Sequence, residues 1–222
     1  MPASDKVAVR APDGAAAAPP WGPRQGFGVY IHWPYCARIC PYCDFNVYAA
    51  KGRDAGPLLD AIVADLAGWR ARTGPRPVDA LFLGGGTPSL LSAAECARLI
   101  HAVADIWGLR PDAEITLEAN PEDAARFAAV AAAGVNRLSL GVQALDDQRL
   151  AFLGRRHSAA QARQAIETAR GRFRSISADL IYALPGEDAA GWRAELARAV
   201  SLEIDHLSLY ELSIEPGAAF AR

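Results

Sequence analysis

Three cysteines lie close together near the start of the sequence, immediately after the first predicted strand. Cys36, Cys40 and Cys43 form a CxxxCxxC spacing. Thiols packed this closely favour metal binding over the dispersed pairs of a disulfide framework. Iron–sulfur clusters normally take four thiolates, so three leave one iron of a cubane without a protein ligand. Because an outside molecule can bind at an open metal position, the spacing favours a cluster with an exchangeable ligand.

Two other interpretations of these cysteines stay open. A zinc site would need a fourth ligand, for which His32 or Asp44 is available. Cysteines buried merely as small apolar residues fit less well, because Pro34 and Pro41 are loop-forming neighbours. The fourth cysteine, Cys96, lies in a helical pattern and is predicted to belong to the core.

The elements that must position this loop follow from hydrophobic periodicity, since short β-rich runs alternate with longer segments of helical period. The predicted strands cover residues 28–33, 80–83, 114–118, 137–141, 177–182 and 206–212. The predicted helices cover residues 57–70, 91–107, 121–133, 159–170 and 191–202, and Ser92 with Glu95 predicts a capping box. Six repeats are too few for an eight-stranded barrel of about 250 residues. A six-stranded partial barrel or a doubly wound α/β sheet is therefore expected.

The bulk composition narrows the class of protein. The 222 residues are 51% hydrophobic and carry a net charge of −2, so one globular domain is expected and nucleic acid is not a predicted partner. Apolar stretches reach about ten residues, below the roughly twenty that span a bilayer, which predicts a cytoplasmic protein without a transmembrane segment. Residues 1–25 are rich in Ala, Pro and Gly and are predicted to form a disordered extension before a core domain at 26–222.

CxxxCxxC with an aromatic residue directly before its third cysteine, here Tyr42, is the signature of the radical S-adenosylmethionine (SAM) superfamily, which this sequence resembles. Residues 30–217 resemble one branch, the coproporphyrinogen dehydrogenases and HemW-type heme chaperones. The matching blocks are GGGTP at 84–88, EANPE at 118–122, RLSLGVQ at 137–143, DLIYALPG at 179–186 and HLSLYELSIEPG at 206–217. The resemblance implies a parallel (β/α)6 TIM-like partial barrel, truncated here before the family's C-terminal region. It also implies that Cys36, Cys40 and Cys43 hold a 4Fe-4S cluster whose open iron binds SAM, and that reduction cleaves SAM to a 5′-deoxyadenosyl radical.

The resemblance also implies a set of SAM contacts. These are Tyr30, Tyr42, Gly85, Gly86, Thr87, Glu118, Gln143, Arg155 and Asp179. Most follow predicted strands, where barrel active sites are built. Arg155 matches the position that meets the SAM carboxylate, with Arg156 as the alternative if the register shifts by one. Asp179 lies inside an apolar strand, and because a buried carboxylate is costly unless paired, a ligand or Arg155 is its expected partner.

One position separates the two activities of this branch. Dehydrogenases of the family carry a fourth cysteine two residues after the third, whereas this sequence has Phe45 there. The resemblance therefore favours a heme chaperone that binds heme and passes it to an unknown acceptor protein, with an electron donor for the cluster. Coproporphyrinogen dehydrogenase and a zinc-stabilised scaffold remain alternatives. Enzymatic turnover and peripheral membrane association stay open.

Overall fold

A computed structural model describes residues 26–52 and 54–221, and the extension predicted at 1–25 lies outside these ranges. Its main sheet has six parallel strands that follow one another in chain order. These strands are β1 (Gly28–Trp33), β4 (Val78–Gly85), β5 (Leu109–Ala119), β6 (Arg137–Gln143), β7 (Ser175–Tyr182) and β8 (His206–Glu211). A doubly wound sheet reverses its strand order at a switch point, whereas this order proceeds in one direction. The predicted parallel α/β partial barrel is therefore confirmed.

The predicted strands agree closely with the observed ones, except that β5 begins earlier, at Leu109. The α-helices are α1 (Gly56–Thr73), α2 (Ala93–Trp107), α3 (Phe127–Ala132), α4 (Asp147–Phe152), α5 (Ala159–Ala169) and α6 (Ala189–Val200). The capping box before α2 is confirmed, because Ser92 N donates to Glu95 Oε2 at 2.7 Å and Glu95 N to Ser92 Oγ at 3.2 Å.

The single helix predicted at 121–133 is wrong in its first half. A 3-10 helix, Pro121–Arg126, precedes α3 there. The proline at its first position and the capping box between Asn120 and Asp123 favour a tight turn before the regular helix begins. The short helix α4 and a small second sheet were not predicted from the sequence.

The second sheet ties the cysteine loop to the barrel. It pairs β2 (Tyr35–Cys36) with β3 (Tyr48–Ala49). Tyr48 N donates to Pro34 O and Ala50 N donates to Cys36 O, both at 2.8 Å. The loop between these two strands is therefore anchored at both ends, directly after β1.

The faces of the main sheet differ in polarity. Side chains alternate between the two faces of a strand, so Leu138 and Leu140 pack into the buried core while Ser139 points to the opposite, concave face. Burying each such leucine is worth about 1.5–3 kcal/mol. Glu118 and Asp179 share the concave face with Ser139. The apolar outer layer thus stabilises the barrel, and the polar inner face is available for a ligand.

No helix within the described part of the chain is long and apolar enough to cross a membrane.

Candidate functional site

A cavity of about 420 Å³ opens where the strands of the main sheet end. This volume falls in the range of roughly 300–1,000 Å³ that is typical of small-molecule sites. The predicted site residues that line it are Cys36, Cys40, Tyr42, Cys43, Gly85, Gly86, Thr87, Glu118, Gln143, Arg155 and Asp179. The barrel therefore gathers residues from the cysteine loop and from four successive strands around one space.

The three cysteines of the loop all line this cavity. Cys36 is buried, Cys40 and Cys43 are partly exposed, and none is in a disulfide. Burial raises the pKa of Cys36 and of Cys43, and each pKa is raised further by the nearby Cys40 thiol. A hydrogen bond from Thr87 to Cys36 acts in the opposite direction on that pKa. Three neighbouring cysteines that line one cavity fit a cluster that leaves one iron open to a ligand.

His32, one of the two residues named as a fourth ligand for zinc, already has partners in the protein. The ring of His32 lies between Asn46 O, 3.0 Å from Nε2, and Tyr30 Oη, 3.1 Å from Nδ1. Both ring nitrogens therefore have partners within the protein. Among the described residues, no three His, Cys, Asp or Glu side chains could hold a single metal ion. A 4Fe-4S cubane is wider than one ion, so its ligands need not converge on a point.

The two glycines of the site are needed for contact between strands. Gly86 N donates to Trp33 O at 2.6 Å, and a Cβ on Gly86 would lie 2.8 Å from Tyr35 O. Gly85 N donates to Glu118 Oε2 at 2.9 Å. A ligand amino group is a hydrogen-bond donor, so at this segment it would bind carbonyl oxygens and not these amides. The glycines bring β4 close to the cysteine loop, which the sequence did not indicate.

Two partly buried acids line the cavity. Burial raises the pKa of Glu118, and the nearby Asp179 raises it further, although the amide of Gly85 lowers it. Burial also raises the pKa of Asp179, against hydrogen bonds from Ser208 and from Ser139, whose Oγ lies 3.4 Å from either carboxylate oxygen. The expectation that Arg155 pairs with Asp179 is wrong, because the partners of Asp179 are hydroxyl groups.

Arg155 bridges three parts of the site. Its Nη2 donates to Asn120 Oδ1 and to Gly141 O, the latter at 3.0 Å, and its Nη1 lies 3.4 Å from Cys40 Sγ. The Nε atom is buried and has no hydrogen-bond partner among the described residues. Since a guanidinium has five N–H donors, Arg155 retains donors for a carboxylate. Arg156 is exposed and does not line the main cavity.

Gln143 lines the cavity, whereas Tyr30 does not. Gln143 has a φ of 68°, at a register shift where β6 pairs with β7, and this unusual backbone belongs to the site. Tyr30 is 57% exposed and is not among the residues that line the cavity.

Sequence reasoning missed Asn120 and Ser139, which both line the cavity. Asn120 lies inside the EANPE block, and Ser139 interrupts two buried leucines with the alternation of a strand that has one polar face. These were the signals that could have identified them.

A parallel partial barrel with three thiols directly after its first strand is the architecture of a cluster-binding barrel protein. The model of the radical SAM superfamily matches residues 30–197, and the chain belongs to that superfamily. Membership implies a 4Fe-4S cluster and SAM as cofactors.

Relatives of known name refine the comparison. The chain is 44% identical over 196 residues to radical S-adenosyl methionine domain-containing protein 1, mitochondrial, of Bos taurus, covering 87% of this chain and 44% of that protein. It is 41% identical over 196 residues to the heme chaperone HemW of Escherichia coli, covering 86% and 52%. The structure of coproporphyrinogen III oxidase (HemN) from Escherichia coli superposes with a TM-score of 0.76 at 30% identity, covering 88% and 46%. The chain thus spans about half the length of the curated relatives it matches.

Proposed function

We propose that this protein is a radical SAM heme chaperone, which binds heme and passes it to an acceptor protein. The observation that carries the proposal is Phe45, two residues after Cys43 and 66% exposed beside the cavity. The dehydrogenases of the family have a cysteine at this position. The fourth cysteine of this chain, Cys96, is buried on α2. Relatives named heme chaperone HemW, at 36–41% identity, support the same conclusion.

Different residues of the cavity would bind the cluster and SAM. Cys36, Cys40 and Cys43 would bind the cluster, which when bound supplies the electron that cleaves SAM. Arg155 would bind the SAM carboxylate with the N–H donors that the protein leaves unused, a charge-assisted contact worth about 1.5–3 kcal/mol.

Glu118 and Asp179 would accept hydrogen bonds from the hydroxyl groups of SAM. Their raised pKa values show that the protein alone stabilises the charged forms poorly. Hydrogen bonds donated by the hydroxyl groups of a ligand would replace those that the two carboxylates lose when they are shielded from water. The other proposed SAM contacts in the cavity are Tyr42, Gly85, Gly86, Thr87 and Gln143. Tyr30 is also a proposed SAM contact, and it does not line the cavity.

This function implies three partners, which are heme, an acceptor protein and an electron donor for the cluster. We propose the cytoplasm as the compartment. The bovine relative is named mitochondrial, so the compartment is a separate test from the activity.

A second function has one observation in its favour, the similarity in structure to coproporphyrinogen III oxidase. The two are separated by incubating the protein, with its cluster reconstituted without oxygen, with coproporphyrinogen III, SAM and a reductant. We expect no protoporphyrinogen IX by chromatography, and saturable binding in a heme titration of the same sample. The oxidase serves as the positive control for the assay. Steady product formation would contradict the chaperone proposal, and colourless protein free of iron after reconstitution would support the zinc scaffold instead.

A further inference from the structure

His157 is enclosed between two hydrogen-bond acceptors. It lies two residues after Arg155, and its side chain is 0% exposed. Its Nε2 is 3.0 Å from Val142 O, and its Nδ1 is 3.2 Å from Glu122 Oε2. A carbonyl oxygen only accepts hydrogen bonds, and so does an ionised carboxylate. Both ring nitrogens must therefore carry hydrogen if Glu122 is ionised.

Glu122 is stabilised in its ionised form. Burial by itself would raise the pKa of Glu122, but the hydrogen bond with His157 and the nearby charge of Arg155 outweigh it, so that pKa is lowered. The remaining charged groups nearby have other roles. Arg156 is exposed, and Asp123 on the same 3-10 helix accepts a hydrogen bond from Ser89 at 2.6 Å. Since both ring nitrogens of His157 face acceptors, the hydrogen-bond geometry requires an imidazolium paired with this carboxylate.

Arg155 and His157 join the same two segments of the chain. Arg155 connects Asn120, just after β5, with the carbonyl of Gly141 near the end of β6. His157 connects Glu122, two residues further along, with the carbonyl of the next residue in β6. The two side chains therefore form adjacent bridges between the ends of neighbouring strands, and only the bridge made by Arg155 lines the cavity.

We infer that His157 is a positioning residue, held as a buried imidazolium that neutralises Glu122 and so keeps Arg155 directed at the SAM carboxylate. This inference rests on the SAM site of the proposed function. Without the imidazolium, Glu122 would be an unpaired, partly exposed carboxylate close to a guanidinium. It would then compete with SAM for the remaining N–H donors of Arg155.

The variant His157→Gln removes the charge but keeps a polar side chain of similar length. We expect it to weaken SAM binding roughly 5- to 30-fold, the effect of losing one or two kcal/mol. Cluster content, measured as iron and sulfide, should stay at the wild-type level. Adding Glu122→Gln to His157→Gln should recover much of the affinity, because the unpaired carboxylate is then gone. His101→Gln, on the exposed face of α2, is the matched control and should bind SAM normally.

Nitrogen NMR of protein labelled in histidine tests the charge state independently of SAM. With the cluster oxidised and at neutral pH, we expect one buried histidine with both ring nitrogens protonated, whose signals are lost in His157→Gln. In Glu122→Gln the ring should become neutral, since an amide N–H can donate to Nδ1. A purely steric role for His157 predicts no such change.

Three outcomes would overturn the inference. A neutral His157 in the wild type would contradict the imidazolium, and normal SAM affinity in His157→Gln would contradict the positioning role while leaving the proposed function intact. Wild-type protein that carries its cluster but does not bind SAM would contradict the proposed function, and the positioning role with it.

Discussion

The guanidinium of Arg155 lies 3.4 Å from the sulfur of Cys40, across 115 residues of sequence. The proposed ligand for the SAM carboxylate therefore touches one of the proposed ligands of the cluster. A thiolate at Cys40 would strengthen this contact, because hydrogen bonds between charged groups are stronger than those between neutral ones. Binding of a cluster at Cys40 and orientation of Arg155 would thus be coupled through a single side chain.

Replacing Arg155 should separate SAM binding from cluster binding. We expect Arg155→Gln to weaken SAM affinity roughly 10- to 100-fold, from loss of a charge-assisted contact of about 1.5–3 kcal/mol. Arg155→Lys should recover only part of it, because an ammonium lacks the planar array of N–H donors. Equilibrium dialysis with labelled SAM measures both. The neighbouring Arg156→Gln should bind normally, and a larger loss there than in Arg155→Gln would mean that Arg156 is the ligand.

The three loop cysteines should differ sharply from the fourth. Replacing Cys36, Cys40 or Cys43 with Ala should abolish a stable cluster, because a cubane held by two thiolates has lost a protein ligand. Iron and sulfide analysis with visible absorption measures the loss. Cys96→Ala should retain the cluster and lose only some stability, since Cys96 is fully buried on α2. Loss of the cluster in folded Cys96→Ala protein would contradict this assignment.

Gly86 should tolerate no side chain. A Cβ there would meet Tyr35 O at 2.8 Å, a backbone atom that cannot rotate away. We expect Gly86→Ala to destabilise the protein by about 1–3 kcal/mol, as overpacking does, and to lower cluster content through displacement of the loop. Gly68→Ala is the control, because Gly68 lies inside α1 with nothing near its Cβ position. It should stabilise the protein by roughly 0.5–1 kcal/mol. Thermal unfolding distinguishes the two, and equal effects would refute the contact argument.

Asp179 should lower the stability of the SAM-free protein while contributing to SAM binding. The native state raises the pKa of Asp179, chiefly by burial, so the ionised carboxylate destabilises the SAM-free fold. The penalty is absent below the pKa of about 3.9 in the unfolded chain, and it develops as pH rises through the native pKa. Asp179→Asn should therefore raise Tm by roughly 2–4 °C at neutral pH, the effect of about 1 kcal/mol in a protein of this size, with a gain that shrinks towards pH 4.

The same Asp179→Asn variant should bind SAM less tightly, since an amide accepts hydrogen bonds less strongly than a carboxylate. Scanning calorimetry across pH, with and without SAM, measures both effects. Ser177→Ala is a useful comparison, because Ser177 lies on the same strand but does not line the cavity. A Tm gain in Asp179→Asn that stayed constant down to pH 4 would contradict the role of the charge.

Much of the fold and site could be predicted from local features. Residues 28–33 were placed correctly as a strand, and the Ser92 capping box was predicted at its true position, because strand alternation and helix caps depend on neighbouring residues. The site residues that follow strands gathered as expected, since parallel strands end at one edge. The helix at 121–133 was wrong because Pro121 and its capping box change the local geometry without altering the apolar period.

The sequence by itself predicted the three cysteines as a ligand set, since they lie within one short loop and their spacing needs no tertiary contact. It also predicted six strands, but both a partial barrel and a doubly wound sheet agreed with them. The tertiary structure decided between these through the order in which the strands pair. It also showed that Asp179 pairs with a hydroxyl group and that Arg155 contacts Cys40 and Asn120. These contacts join residues that are 35 to 115 positions apart, and no local preference of the chain encodes which distant side chains meet.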